Sequence, residues 1–272
     1  KKAFSDLLLY LIVPAMVINS YMMEFNAEIL QNLLKAFGLS ILLLFIGLLV
    51  TMVLTAKHKS PDLPIMRFAC IFSNAAYMGF PLIQALFGSE GLLYASAFVT
   101  VYNILLWTAG YGIVSKKVRA KEVWRTIFTN PVLISVVAGL LIYLCQIPVP
   151  DIIKQPISLI GNMNTPLSMF ITGMIIAGSD VKGLVYNKNI WYIILVRQLV
   201  IPAVCFGVFS LFHVTGMAAQ VVLLLEACPS AAITSVFAVQ FGYDENLAAG
   251  AVVITTFFSI LTLPVCAMLL TA

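Results

Sequence analysis

Apolar residues in this chain run in long unbroken stretches. Nine such segments can be read, approximately 4–23, 33–56, 65–87, 91–114, 129–146, 157–178, 190–212, 217–240 and 247–270. Each is long enough to cross about 30 Å of hydrocarbon at about 1.5 Å per residue, with 129–146 near the lower limit. Short polar loops separate the segments, and no stretch suffices for a soluble domain. A transmembrane β-barrel is excluded, because its strands alternate apolar and polar residues. The pattern predicts an all-α polytopic membrane protein.

Composition sharpens this reading. Of the 272 residues, 62% are apolar and only 10% charged. Mean hydropathy is +1.06. A soluble domain carries about 25% charged residues. So few charges exclude an ordinary soluble enzyme, a disordered chain and a nucleic-acid binder. The five cysteines (Cys70, Cys145, Cys205, Cys228, Cys266) lie in or beside apolar runs without CxxC spacing. They read as small core residues. His58 and His213 are isolated. Neither a metal site nor a cofactor is expected.

The loop charges predict an orientation. One set of segment ends holds Lys1, Lys2, Lys57, Lys59, Arg67, Lys116, Lys117, Arg119, Lys121, Arg125, Lys182 and Lys188; the other holds only Lys35 and Lys154. By the positive-inside rule the first set is cytoplasmic. The Lys1 end and the loops at 57–64, 115–126 and 179–189 are then inside a plasma membrane, and Ala272 is outside. The cluster from Lys116 to Arg125 reads as a topology signal with some headgroup contact. The first segment does not resemble a signal peptide: it has Pro14 in its middle, no small-residue cleavage site and no initial Met.

The two halves can be laid over one another. One shift takes Pro14 onto Pro166 and Asn74 onto Glu226, and lays segments 4–23, 33–56, 65–87 and 91–114 on the last four of comparable order. Segment 129–146 has no partner, so a complete repeat needs one more helix before Lys1. Five helices per half force the second half upside down, and inverted repeats are a signature of secondary transporters. Two matched segments are interrupted. Segment 65–87 contains Ser73-Asn74-Ala75-Ala76-Tyr77-Met78-Gly79-Phe80-Pro81, and 217–240 contains Glu226-Ala227-Cys228-Pro229-Ser230. Proline removes a helical donor and glycine loosens the helix. Two matched breaks would bring half-helix ends together near the midplane, and their N-terminal ends suit an anion.

These residues carry a resemblance. The run from Phe72 to Leu82 resembles the fourth-helix motif of the auxin efflux carrier superfamily, which includes the plant PIN proteins and bacterial organic-acid permeases. Tyr102-Asn103, Asn130-Pro131, Thr165-Pro166-Leu167, the run Arg197 to Pro202, Ala227 to Ala231, Phe237-Ala238 and Leu261 to Pro264 fit as well. The match covers essentially the whole chain. It implies two inverted five-helix repeats, with broken fourth and ninth helices that cross and the first helix absent here. It also implies a scaffold part, 1–24 with 127–178, a transport part, 30–115 with 188–272, and a homodimer through the scaffold. It further implies that Asn74 binds a substrate carboxylate. The long central loop of the plant proteins is only about fifteen residues here, which favours a bacterial-type permease.

Ionisable residues in hydrocarbon are functional candidates. Arg197 lies about 10 Å in from the cytoplasmic end of its helix and Glu226 about 14 Å from the outer end of its own. They either form a buried pair that fixes packing, or Glu226 takes up a proton or sodium ion beside the break at Pro229. Arg197 meeting the anion is a third option. Asn74 can donate and accept; it either contacts substrate or caps its own helix. Tyr77, Gly79, Pro81, Pro229, Ser230, Thr234 and Asn103 complete the candidate substrate site, with Ser235 and Asn19 weaker.

The leading expectation is a secondary transporter of a small organic anion: a carboxylate, a dicarboxylate such as malate or malonate, or an auxin-like acid. Alternatives are a sodium-coupled symporter of the bile-acid type and a ligand-binding membrane sensor without transport. An intramembrane enzyme lacks support, since no GxSxG, HExxH or pair of mid-membrane aspartates is present.

Overall fold

A computed structural model describes residues 2–115, 120–177 and 186–271. Lys1, Lys116, Lys117, Arg119, Lys182 and Ala272, used above for orientation, lie outside the described residues. The described chain is all-α apart from one two-residue bridge. Its helices are α1 (2–21), α2 (Ala27–Leu54), α3 (Leu63–Ile71), α4 (75–87), α5 (89–114), α6 (Ala120–Phe128), α7 (Pro131–Cys145), α8 (Asp151–Asn162), α9 (Asn164–Ala177), α10 (188–211), α11 (Met217–Ala227), α12 (Ile233–Phe241) and α13 (Glu245–Thr271). Among the described residues, six helical runs are long and apolar enough to cross a membrane; Pro131–Cys145 and Met217–Ala227 are shorter apolar helices.

The hydropathy segments map onto this order with three differences. The expected loop between 87 and 91 is only a kink at Gly88, whose φ of +59° and ψ of −148° lie where residues with a side chain are strained. The segment expected from 157 begins at Asp151, because α8 is an amphipathic helix whose polar face hid it from a hydropathy reading. The loop expected over 115–126 contains a third surprise, the short helix α6.

Proline acts in two ways here. Pro14, Pro81 and Pro202 do not break their helices. Each follows by two residues the end of a widened π turn, Leu8–Ile12, Ala75–Gly79 and Leu195–Val200 respectively. The missing N–H falls where the hydrogen-bond ladder shifts back to the α register, so no donor is lost to hydrocarbon. Pro229 does break its helix. It forces Cys228 out of the α region, to ψ 154°. The first break lies at Phe72–Asn74, upstream of the Gly79-Phe80-Pro81 signal.

Packing groups the helices. The second half of α1 packs on α7 and α8. Gly139 and Gly161 let Tyr21 and the Met16 backbone approach closely. On the other side, α11 packs against α2, the 80–105 run and α13, and α3 packs against α2, α12 and α13. Polar contacts join the groups. The Tyr21 and Ser96 hydroxyls are 2.6 Å apart. Gln84 donates to Asn162 at 3.3 Å and accepts from Thr165 at 3.4 Å.

Candidate functional site

The two helix breaks meet. Asn74 N donates to Pro229 O at 2.7 Å, and Ala231 N donates to Phe72 O at 2.9 Å. Ser73 and Ser230 thereby form an antiparallel bridge. In lipid a broken helix must find partners for its freed backbone groups; here each break supplies them for the other. Four half-helices diverge from this junction: α3 and α11 end at it, α4 and α12 begin at it.

Arg197 locks the junction from the side. It is fully buried within the π turn of α10. Its Nε donates to Cys228 O at 3.0 Å, and Nη1 donates to Cys70 O, Ile71 O and Glu226 Oε1, each at 3.1 Å. Its Nη2 donates to Glu226 O. The acceptor carbonyls are the orphan C-terminal groups of α3 and α11, where the helix dipole is negative. One planar guanidinium therefore caps two half-helices and pairs with the carboxylate on one of them. The buried charge is tolerable because its donors are met and its counterion is adjacent. Glu226 is equally buried, and its Oε2 has no partner among the described residues.

The hydroxyl of Ser230 donates to Ala69 O at 2.8 Å, capping α3 again, and its N–H donates to Thr255 Oγ1 at 3.0 Å. Gln198 donates to Thr255 O at 2.8 Å and accepts from Thr262 at 3.2 Å, tying α10 to α13.

Asn74 differs from these residues. Only 5% of it is exposed, its backbone is engaged, and its amide makes no side-chain cap to the helix it precedes. The hydroxyls of Ser73, its neighbour in sequence, and of Thr234, at the start of α12, are buried without a partner among the described residues. An amide and hydroxyls left free beside the starts of α4 and α12 offer neutral hydrogen-bonding groups next to positive helix ends, a combination that suits an anion.

The other candidates are dispersed. Gly79 sits where α4 crosses α11; a Cβ there would lie 2.4 Å from Leu225 Cδ2. Pro81 is buried near the start of the 80–105 helix. Tyr77 faces Ser5 and Asp6 of α1. Asn103 is used structurally: it donates to Val99 O at 2.8 Å and accepts from Asn130 at 3.2 Å. Sequence reading did not single out Thr255 or Gln198. Gln198 adjoins Arg197, which was a usable signal; Thr255, one hydroxyl in an apolar helix, gave none. The motifs include Phe72, Tyr102 and Phe237 but not their contacts: beside the junction Phe72 meets Tyr102 at 5.5 Å and Phe68 meets Phe237 at 5.0 Å.

A family model described as membrane transport protein matches residues 1–267. The chain is 25% identical to an uncharacterized transporter of Methanocaldococcus jannaschii, over 96% of this chain and 87% of that protein. It is 22% identical to an uncharacterized transporter of Methanothermobacter thermautotrophicus, over 75% and 67%. It is also 27% identical to a probable auxin efflux carrier component of Oryza sativa subsp. japonica, over 53% of this chain and 26% of that one. The resemblance drawn from the motifs is thereby borne out.

Proposed function

The chain belongs to the membrane transport protein family, and from that premise we propose that it moves a small organic anion across the bilayer by alternating access. The substrate is a carboxylate or dicarboxylate, bound where the two broken helices cross. The observation that carries this reading is the amide of Asn74, which makes no cap to its own helix, at a junction where the hydroxyls of Ser73 and Thr234 are also without a partner among the described residues. An amide that caps nothing can donate to a carboxylate oxygen without adding a second buried cation. Ser73 and Thr234 supply further hydroxyls.

In this reading 1–24 with 127–178 form a static scaffold, and 30–115 with 188–272 form the part that moves. The halves are inverted repeats, which the antiparallel meeting of the two breaks supports. Arg197 holds α3 and α11 together so that the crossing travels as one rigid body. The contacts of Gln84 with Asn162 and Thr165 then break and reform as the moving part slides. The scaffold exposes Ile152, Leu159 and Phe170, an apolar face suited to a second copy or to lipid. The lysine-rich end faces the cytoplasm of a plasma membrane. Glu226 Oε2 is the candidate for proton coupling.

The test is uptake into proteoliposomes. Protein reconstituted with preloaded unlabelled dicarboxylate should accumulate labelled dicarboxylate, and Asn74→Ala should raise the concentration for half-maximal uptake by roughly 5- to 150-fold. Carboxylate binding without flux would overturn transport in favour of sensing, and a strict sodium requirement would replace the proton with sodium.

A further inference from the structure

We propose that α6 is an interfacial anchor that binds anionic phospholipid headgroups. Its residues sort onto three arcs of the helix. Val123 and Ile127 are buried, at 8% and 7% exposure, and α6 packs on the turn Leu106–Gly110 and on α7. Trp124 and Phe128, each one position further on, are 57% and 73% exposed, and their rings stack with centroids 5.9 Å apart. Lys121 and Arg125 follow on the next arc. Both are exposed, and neither is in an ion pair among the described residues.

At about 100° per residue the apolar sector is therefore continuous, from the protein-facing pair to the outward aromatic pair, and the cations border its outer edge. A helix wholly in water would not expose two stacked aromatic rings, and a helix of nine residues carrying exposed Lys and Arg is too short and too charged to span a membrane. Lying in the interface satisfies both: the rings enter the acyl boundary and the cations meet phosphate oxygens. Charge complementarity selects the headgroup. Lys57, Lys59 and Lys188 lie at the same end of the helices as α6 by the loop-charge reading. Such an end attracts phosphatidylglycerol or phosphatidylserine over phosphatidylcholine. Aromatic residues and cations at four-residue spacing also give the binding a fixed depth.

The experiment uses the full chain reconstituted in vesicles. Trp107→Phe with Trp191→Phe leaves Trp124 as the only tryptophan of the three. Vesicles of phosphatidylcholine containing a minority of brominated phosphatidylglycerol are compared with vesicles containing the same amount of brominated phosphatidylcholine. The brominated anionic lipid should be enriched at Trp124 at least about fivefold over the zwitterionic one, as one surface cation suffices for. High salt should erode the preference. Lys121→Gln with Arg125→Gln should remove it while leaving Trp124 quenched by either lipid. Equal quenching by the two lipids, or a preference that survives the double substitution, would overturn the proposal. So would a Trp124 that neither lipid quenches. If the single-tryptophan chain does not fold, wild-type protein in micelles should still gain more thermal stability from added phosphatidylglycerol than from phosphatidylcholine. The Lys121→Gln, Arg125→Gln chain should lose that difference, and an equal gain for both lipids in the wild type would count against the anchor.

Discussion

Asn74 and Pro229 meet backbone to backbone: the amide nitrogen of one lies 2.7 Å from the carbonyl oxygen of the other. Proline cannot donate, but its carbonyl can accept, so the residue that breaks the second helix completes the first. The consequence is one rigid node from which functional groups project.

The free amide of Asn74 gives the first prediction. Asn74→Ala should weaken carboxylate binding by about 1–3 kcal/mol. It should leave the melting temperature nearly unchanged, because the amide caps nothing. Calorimetric titration with a dicarboxylate, alongside a thermal melt, measures both. Unchanged affinity would remove Asn74 from the site.

Arg197 carries the second. Arg197→Leu strands buried Glu226 and the carbonyls of Cys70, Ile71 and Cys228, so it should destabilise by about 3–5 kcal/mol. Arg197→Leu with Glu226→Leu should recover part of that loss, since no unpaired charge remains. Strict additivity of the two single losses would mean that the carboxylate contributes nothing to the clamp.

Glu226→Gln separates clamp from coupling. The glutamine keeps the shape and the acceptor at Oε1 but withdraws the countercharge, so stability should fall by several kcal/mol. If Oε2 also cycles a proton, the mutant's uptake should lose the pH dependence of the wild type. A mutant with a lower melting temperature and the wild-type pH profile assigns Glu226 to the clamp alone.

Gly79 tests the closeness of the crossing. Gly79→Ala places a methyl 2.4 Å from Leu225 Cδ2, an overpacking that should be unfavourable by about 1–3 kcal/mol. Leu225→Ala in the same chain should relieve that strain, leaving a loss smaller than the two single losses combined. Denaturation of the three variants in detergent gives the comparison.

The sliding proposed between the two helix groups can be tested by arresting it. Gln84 and Thr165 are in side-chain contact. Cysteines at both, in a chain freed of its native cysteines, should be bridged by a short bifunctional thiol reagent. Cross-linking should stop uptake, and cleaving the linker should restore it. Full uptake by cross-linked protein would exclude sliding at this contact.

The chain alone determined the membrane class and the approximate places of most apolar helices, because unbroken apolar runs of that length belong in hydrocarbon. It also pointed to Asn74, Pro229, Arg197 and Glu226, since a polar or helix-breaking residue inside an apolar run stands out. Tertiary structure decided what each does. Pro81 and Pro229 look alike as residues, yet one sits behind a π turn and the other opens a chain break; the difference lies in whether a neighbouring backbone can accept the freed groups. Arg197 reads as one half of a buried pair with Glu226 until α3 and α11 bring their terminal carbonyls around it as well. The amphipathic α6 was hidden for a related reason: its apolar residues lie on one arc of a short helix, so no continuous run marked it. Spans follow from local hydropathy, whereas the node follows from hydrogen-bond partners supplied by segments far apart in sequence.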